Sequence, residues 1–115
     1  MESRQAVDAL AALAQASRLA IYRLLVRAGP AGMPAGAIGA GLKVPGATLS
    51  FHLAQLSHAG LVRSRQEGRY VIYSADFKHM SALVEFLTEN CCAGQGCAPV
   101  AAQRSPTKRK ASAKA

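Results

Sequence analysis

A chain of 115 residues, half of them hydrophobic, has room for one compact domain and enough apolar side chain to fill its core. Only 5% of the residues are aromatic and none is Trp, so that core must be built from Leu, Ile, Val and Ala, and a mainly α-helical fold is expected. The net charge of +8 points to an acidic polymer as partner; no apolar run reaches membrane-span length, the charged start MESRQAVDAL is no signal peptide, and three cysteines, an odd number, argue against a disulfide framework.

Val7, Leu10, Leu13 and Ala14 fall on one helical face, which predicts a first helix over residues 4–15. Leu19, Ile21, Leu24 and Leu25 follow Ser17, a suitable N-cap, and predict a second helix over 18–28. Gly29-Pro30-Ala31-Gly32-Met33-Pro34 combines two helix breakers and reads as a loop.

A short glycine-dotted helix over 35–42 is expected next, then a turn at Lys43-Val44-Pro45, then a stronger helix over 46–59. Pro45 suits a first helical position, and Gly60 suits a left-handed cap at the other end. Two helices joined by so short a turn form a helix-turn-helix. Within the second of them, Leu49, Leu53 and Leu56 share a face and anchor it, which turns Thr48, Ser50, Phe51 and Gln55 elsewhere. Ser, Thr and Gln hydrogen-bond to base edges, and Phe51 suits a thymine methyl, so these four are the candidate DNA-reading residues.

The period then changes. Residues 61–66 and 69–74 are β-prone runs around Glu67-Gly68, which predicts a hairpin whose Arg63, Arg65 and Arg69 meet phosphates or enter the minor groove of operator double-stranded DNA. A last helix over 76–90 carries Phe77, Met80, Leu83, Val84 and Leu87 on one face. The folded, DNA-binding part is expected to end at residue 97. Residues 98–115 hold five bases, Arg104, Lys108, Arg109, Lys110 and Lys114, with no acid, and read as a disordered basic tail that leaves the folded part only weakly basic.

Cys91, Cys92 and Cys97 cluster where that last helix ends, and Gly94 and Gly96 let the chain turn back on itself. Such a trio fits a buried helix end, a redox switch or a metal site. Three soft thiolates suit trivalent arsenic or antimony, which bond to three sulfurs, better than zinc, which prefers four ligands. His79 lies twelve residues before Cys91, about 18 Å along a helix, which leaves zinc a fourth ligand only from a partner subunit or water. No nucleophile, base and orienting group stand at a spacing that suggests an enzyme.

Ala47-Thr48-Leu49-Ser50-Phe51-His52-Leu53, then Leu56, Ala59-Gly60-Leu61-Val62, and Glu67-Gly68-Arg69 with Tyr73, resemble the ArsR/SmtB family of metal-responsive repressors over residues 5–97. The resemblance implies a winged-helix homodimer formed through the first and last helices. It identifies His52 with the family's recognition-helix histidine, here read as structural. Some arsenic sensors of the family carry cysteines in the first helix of the helix-turn-helix, which here has none. Family zinc sensors place Asp and His in the last helix, whereas here Asp76 is followed by Lys78. The trio is similar to that of an arsenic-responsive branch with C-terminal sites. The implied function is a cytoplasmic repressor released from DNA by As(III), methylarsenite or Sb(III) at Cys91, Cys92 and Cys97. A zinc, cadmium or thiol-redox sensor on the same scaffold, and an architectural DNA-binding protein, are the alternatives.

Overall fold

The computed structural model describes residues 1–94; Cys97 and the basic tail expected over 98–115 lie outside the described residues. The chain divides into two compact units, Met1–Met80 and Ser81–Ala115. The described elements are α1 (Ser3–Leu13), α2 (Ala16–Ala28), β1 (Met33–Pro34), α3 (Ala35–Leu42), α4 (Gly46–His58), β2 (Val62–Glu67), β3 (Tyr70–Ala75) and α5 (Phe77–Thr88). The architecture is mainly helical with a three-stranded antiparallel sheet, a winged helix-turn-helix. No single helix among the described residues is long and apolar enough to cross a membrane.

The first unit is built around Ile21 and Leu25 of α2, Ile38 of α3, Leu53 and Leu56 of α4, and Leu61, all fully buried. α1 meets α2 and α4 through a face other than the one that carries Val7 and Leu10. Ala6, Ala9 and Ala12 are buried, while Val7 and Leu10 are 62% and 44% exposed. The alanines at i, i+3 and i+6 let the helix axes approach closely, and the bulkier side chains are turned outward. α2 starts earlier than expected, because Gln15 rather than Ser17 caps it: its side-chain oxygen accepts from the Arg18 amide at 2.8 Å. Leu19, part of the expected helical stripe, is 45% exposed, while Tyr22 is buried. Burial, and secondarily the Asp76 carboxylate, raise the Tyr22 phenol above its ordinary pKa.

The segment expected to be a plain loop holds a short 3-10 turn at Gly29–Ala31 and the strand β1. Met33 pairs with Tyr73 and Pro34 with Ile72, so β1 is an edge strand, where a proline is tolerated. Gly32 makes this pairing possible. Its φ is +71°, and a Cβ there would collide with the Tyr73 carbonyl oxygen and come within 2.9 Å of Ile72 Cγ2.

α4 is preceded by Pro45 as N-cap, one position before the helix rather than inside it. Gly60 takes the expected left-handed conformation, φ +82°, and lies against the His79 ring. In the hairpin, Glu67 pairs with Tyr70, so the two-residue turn is Gly68-Arg69 and not Glu67-Gly68. Asp76 Oδ1 accepts from the His79 amide at 3.0 Å and caps the start of α5.

The second unit holds the rest of α5, in which Leu83 is buried and Leu87 is 55% exposed. The helix ends at Thr88 rather than residue 90. The Thr88 hydroxyl donates to the Val84 carbonyl at 2.8 Å, and Asn90 turns left-handed with φ 58°. The Cys91–Gly94 turn follows, with Cys92 and Ala93 also left-handed at φ 56° and 54°.

Candidate nucleic-acid interface

α3, a three-residue turn and α4 make the helix-turn-helix. Lys43 adopts φ 57° as the left-handed cap of α3, and the Val44 amide donates to the Gly39 carbonyl at 3.0 Å, which fixes the turn. Leu49, Leu53 and Leu56 of α4 are 4%, 2% and 0% exposed, so the anchoring face is the one its leucine spacing predicts. Thr48, Ser50, Phe51 and Gln55 are all exposed. Thr48, Phe51 and Gln55 follow one another at i, i+3 and i+7 along one row, and Ser50 opens on the strip beside it. Phe51 is 57% exposed, unusual for a phenylalanine in a small helical domain, and its ring meets that of His52 edge-on at 5.8 Å. Gln55 also lines a cleft of about 310 Å³ with Asp8, Arg18 and His58, where α1, α2 and α4 meet.

His52 is 7% exposed on the inner side of α4. Its Nδ1 lies 3.4 Å from an Arg18 guanidinium nitrogen, and Arg18 Nε donates to the Ala12 carbonyl at 2.7 Å. The same arginine therefore joins the end of α1, the first turn of α2 and the recognition helix. Nothing in the local pattern around Arg18 marks it for this, because its partner stands 34 residues away.

On the wing, Arg63 stands opposite Ser74 and Arg65 opposite Ile72, so the two arginines share one face of the hairpin, with Arg69 at its turn. All three are exposed. They are not equivalent. Arg65 Nε donates to Glu67 Oε2 at 2.6 Å, and its other nitrogens donate to the carbonyls of Ala31 at 2.7 Å and Pro30 at 3.4 Å. Arg65 thus ties the hairpin to the turn that precedes β1. Arg63 lines an open cleft of about 390 Å³ at the wing base together with Lys78, Ser64 and Asp76. Lys78, noted in the sequence only for standing where a family zinc sensor carries a histidine, adds a base to this cleft.

Of the three cysteines, Cys91 is half-buried and Cys92 exposed, adjacent in the left-handed turn after α5. Among the described residues no group of three His, Cys, Asp or Glu side chains converges. The donor chemistry of the two thiols suits a soft, thiophilic ion, and they are two of the three expected ligands.

Comparison with known proteins agrees with this geometry. Residues 13–65 match the family model described as a helix-turn-helix domain. Among solved structures, an ArsR-like transcriptional regulator from Rhodococcus sp. RHA1 is 26% identical, with 79% of this chain and 82% of that chain covered and a TM-score of 0.68. HlyU from Vibrio cholerae is 30% identical, with 80% and 99% covered and a TM-score of 0.60; its reduced form also matches, at 30% and 0.58. The homodimeric winged helix-turn-helix DNA-binding domain of Mb0332 from Mycobacterium bovis is 29% identical, with 76% and 81% covered and a TM-score of 0.60. No curated protein sequence matches the chain.

Proposed function

The chain belongs to the ArsR/HlyU-type winged-helix transcriptional regulators, which bind DNA, and from that premise we propose that it is a cytoplasmic repressor released from its operator by trivalent arsenic. The observation that carries this reading is the pair of adjacent thiols, Cys91 and Cys92, in a sharply turned segment directly after α5. With Cys97 they form a three-thiolate donor set, to which As(III), methylarsenite or Sb(III) would supply three strong bonds to sulfur.

Dimerisation through α1 and α5 completes the proposal. It is supported by the apolar side chains these helices leave uncovered in the single chain, Val7 and Leu10 on one and Phe77 and Leu87 on the other, and by the homodimeric state of the Mycobacterium bovis relative. A ligand drawn to the end of α5 then acts beside the subunit interface, where a small shift changes the spacing of two recognition helices. A coupling of about 1–3 kcal/mol changes affinity roughly 5–150-fold, which suffices for release.

Thr48, Ser50, Phe51 and Gln55 read the base edges, while Arg63 and Arg69 meet the backbone. The reduced form in which one HlyU structure was solved favours thiol oxidation as the second reading. One experiment separates the two. A duplex selected from a random library by the wild-type chain is held in complex and titrated with arsenite under reducing conditions, then with a thiol oxidant. The arsenic reading expects release by arsenite at about one equivalent per subunit and loss of that response in Cys91→Ser, Cys92→Ser and Cys97→Ser. Release by the oxidant alone overturns it in favour of redox sensing.

A further inference from the structure

The cleft at the base of the wing holds positive charge that the fold does not use. Three bases line it, Arg63, Arg65 and Lys78, against one acid, Asp76, and the space between them is about 390 Å³. Arg65 is committed, with its guanidinium nitrogens on Glu67 and on the carbonyls of Ala31 and Pro30. Arg63 and Lys78 are not. Among the described residues neither side chain makes an ion pair or a hydrogen bond, and both are exposed. Asp76 stands in the same cleft without pairing with either base, and its Oδ1 accepts from the His79 amide at 3.0 Å.

The cleft is also held in shape. Arg63 and Ser74 are register partners, so a guanidinium and a hydroxyl share one face of the hairpin. A single residue, Asp76, separates β3 from α5; its amide donates to the Leu61 carbonyl at 2.8 Å and its carboxylate caps α5. These two bonds fix the start of α5, and with it Lys78, against the segment that leads into β2. A site fixed before its ligand arrives loses less order on binding.

We propose that this cleft binds a phosphate group, with the Arg63 guanidinium and the Lys78 ammonium as its charge partners and the Ser74 hydroxyl as a further donor. Unpaired charges of one sign lining a concave space concentrate counter-ions there. A guanidinium offers a phosphate two parallel N–H bonds, and an ammonium adds a compact charge that approaches from another side. A phosphate monoester has three strongly accepting oxygens, enough for both bases and a hydroxyl. A carboxylate has two, which the guanidinium alone satisfies.

Two sources carry that group, a strand of DNA lying along the wing or a small phosphate compound. The cleft lies at the end of the hairpin opposite the Arg69 turn, about 17 Å away along a six-residue strand. A DNA contact there is an additional one beyond the tip, whereas a small compound binds beside the start of α5 and apart from the DNA.

The test uses the full-length chain in its solution assembly and has two arms. In the first, NMR follows the amide signals of Arg63, Ser74 and Lys78 during titration with inorganic phosphate, against chloride at the same ionic strength. Phosphate should produce saturable shifts at these residues that chloride does not. Arg63→Gln and Lys78→Gln should each weaken phosphate binding by about tenfold or more, the scale of a lost hydrogen bond to a charged group. Arg4→Gln, which removes an exposed base outside the cleft, should leave it unchanged. The second arm, which rests on the DNA-binding reading above, measures the salt dependence of affinity for the selected duplex described above and for a scrambled duplex of the same length. A DNA phosphate in the cleft makes Lys78→Gln lower the slope of log affinity against log salt by about 0.9 per subunit, equally on both duplexes. An unchanged slope with binding of free phosphate assigns the site to a small phosphate compound. A response to phosphate no different from that to chloride, together with an unchanged slope, overturns the proposal, as does phosphate binding retained in both cleft variants. Failure of the wild-type chain to prefer the selected duplex would strike instead at α4 as the DNA-reading element, and the phosphate titration would still decide the cleft.

Discussion

Replacing Arg65 and Arg69 one at a time with alanine should produce two different kinds of loss, although both are exposed arginines of the wing. Arg69 lies at the hairpin turn, where a long cation is best placed to reach a phosphate. Removing a single phosphate contact lowers the slope of log affinity against log salt by about 0.9, so removing it from both subunits of a dimer should lower the slope by about 1.8 while leaving the fold unchanged. Arg65 is committed elsewhere. Its ion pair with Glu67 is between side chains 43% and 57% exposed and contributes about 0–1 kcal/mol after solvent screening. Its bonds to the Ala31 and Pro30 carbonyls add about 0.5–1.5 kcal/mol.

Arg65→Ala should therefore cost about 1–2 kcal/mol of stability, which in a domain of this size lowers the melting temperature by roughly 4–8 °C for each kcal/mol. Its salt slope should stay close to wild type. Anisotropy titrations of a labelled duplex from low to moderate salt, with thermal melts of each variant, measure both quantities. An Arg65→Ala variant that loses as much salt slope as Arg69→Ala and melts at the wild-type temperature would refute the assignment of Arg65 to the scaffold.

Phe51→Ala should leave the melting temperature nearly unchanged, because the ring is 57% exposed, yet weaken binding to the selected duplex by about tenfold if the ring is buried against a thymine methyl; a competition assay against the scrambled duplex reads this. Gly32→Ala should destabilise the chain by about 1–3 kcal/mol, since it combines a left-handed φ with a collision at Tyr73, whereas Gly36→Ala, in α3 with open space around it, should stabilise by about 0.5–1 kcal/mol. Chemical denaturation of the two variants side by side makes that comparison.

The helix-turn-helix was legible because its signals are local. Leucines at 49, 53 and 56 follow the helical period, and Gly60 marks the point where the backbone must turn left-handed. The wing was legible as two β-prone runs, but its turn lies one residue further on, since a two-residue hairpin at Glu67-Gly68 or at Gly68-Arg69 satisfies the same local chemistry and only the pairing of Glu67 with Tyr70 decides. β1 was hidden in a Gly- and Pro-rich stretch because its two residues become a strand only by pairing with β3, about forty residues later. Arg65 reads in the sequence as a DNA-contacting wing base and Arg18 as an ordinary surface base. Their long-range partners lie 34 or more residues away, at the Ala31 and Pro30 carbonyls and at His52, and no local pattern encodes such a contact.

The two faces of α1 differ in what covers them. A stripe of Val7 and Leu10 at helical spacing marks a surface that is to be taken out of water. Within the single chain it is not, because Ala6, Ala9 and Ala12 occupy the inner face and bring α1 close enough to its neighbours for the Ala12 carbonyl to reach Arg18. Bulkier residues on that inner face would hold α1 away and break the bond. The close-packed alanine face and the uncovered valine and leucine are thus two sides of one helix with two partners: α2 and α4 within the chain and, on the reading proposed above, α1 and α5 of a second copy.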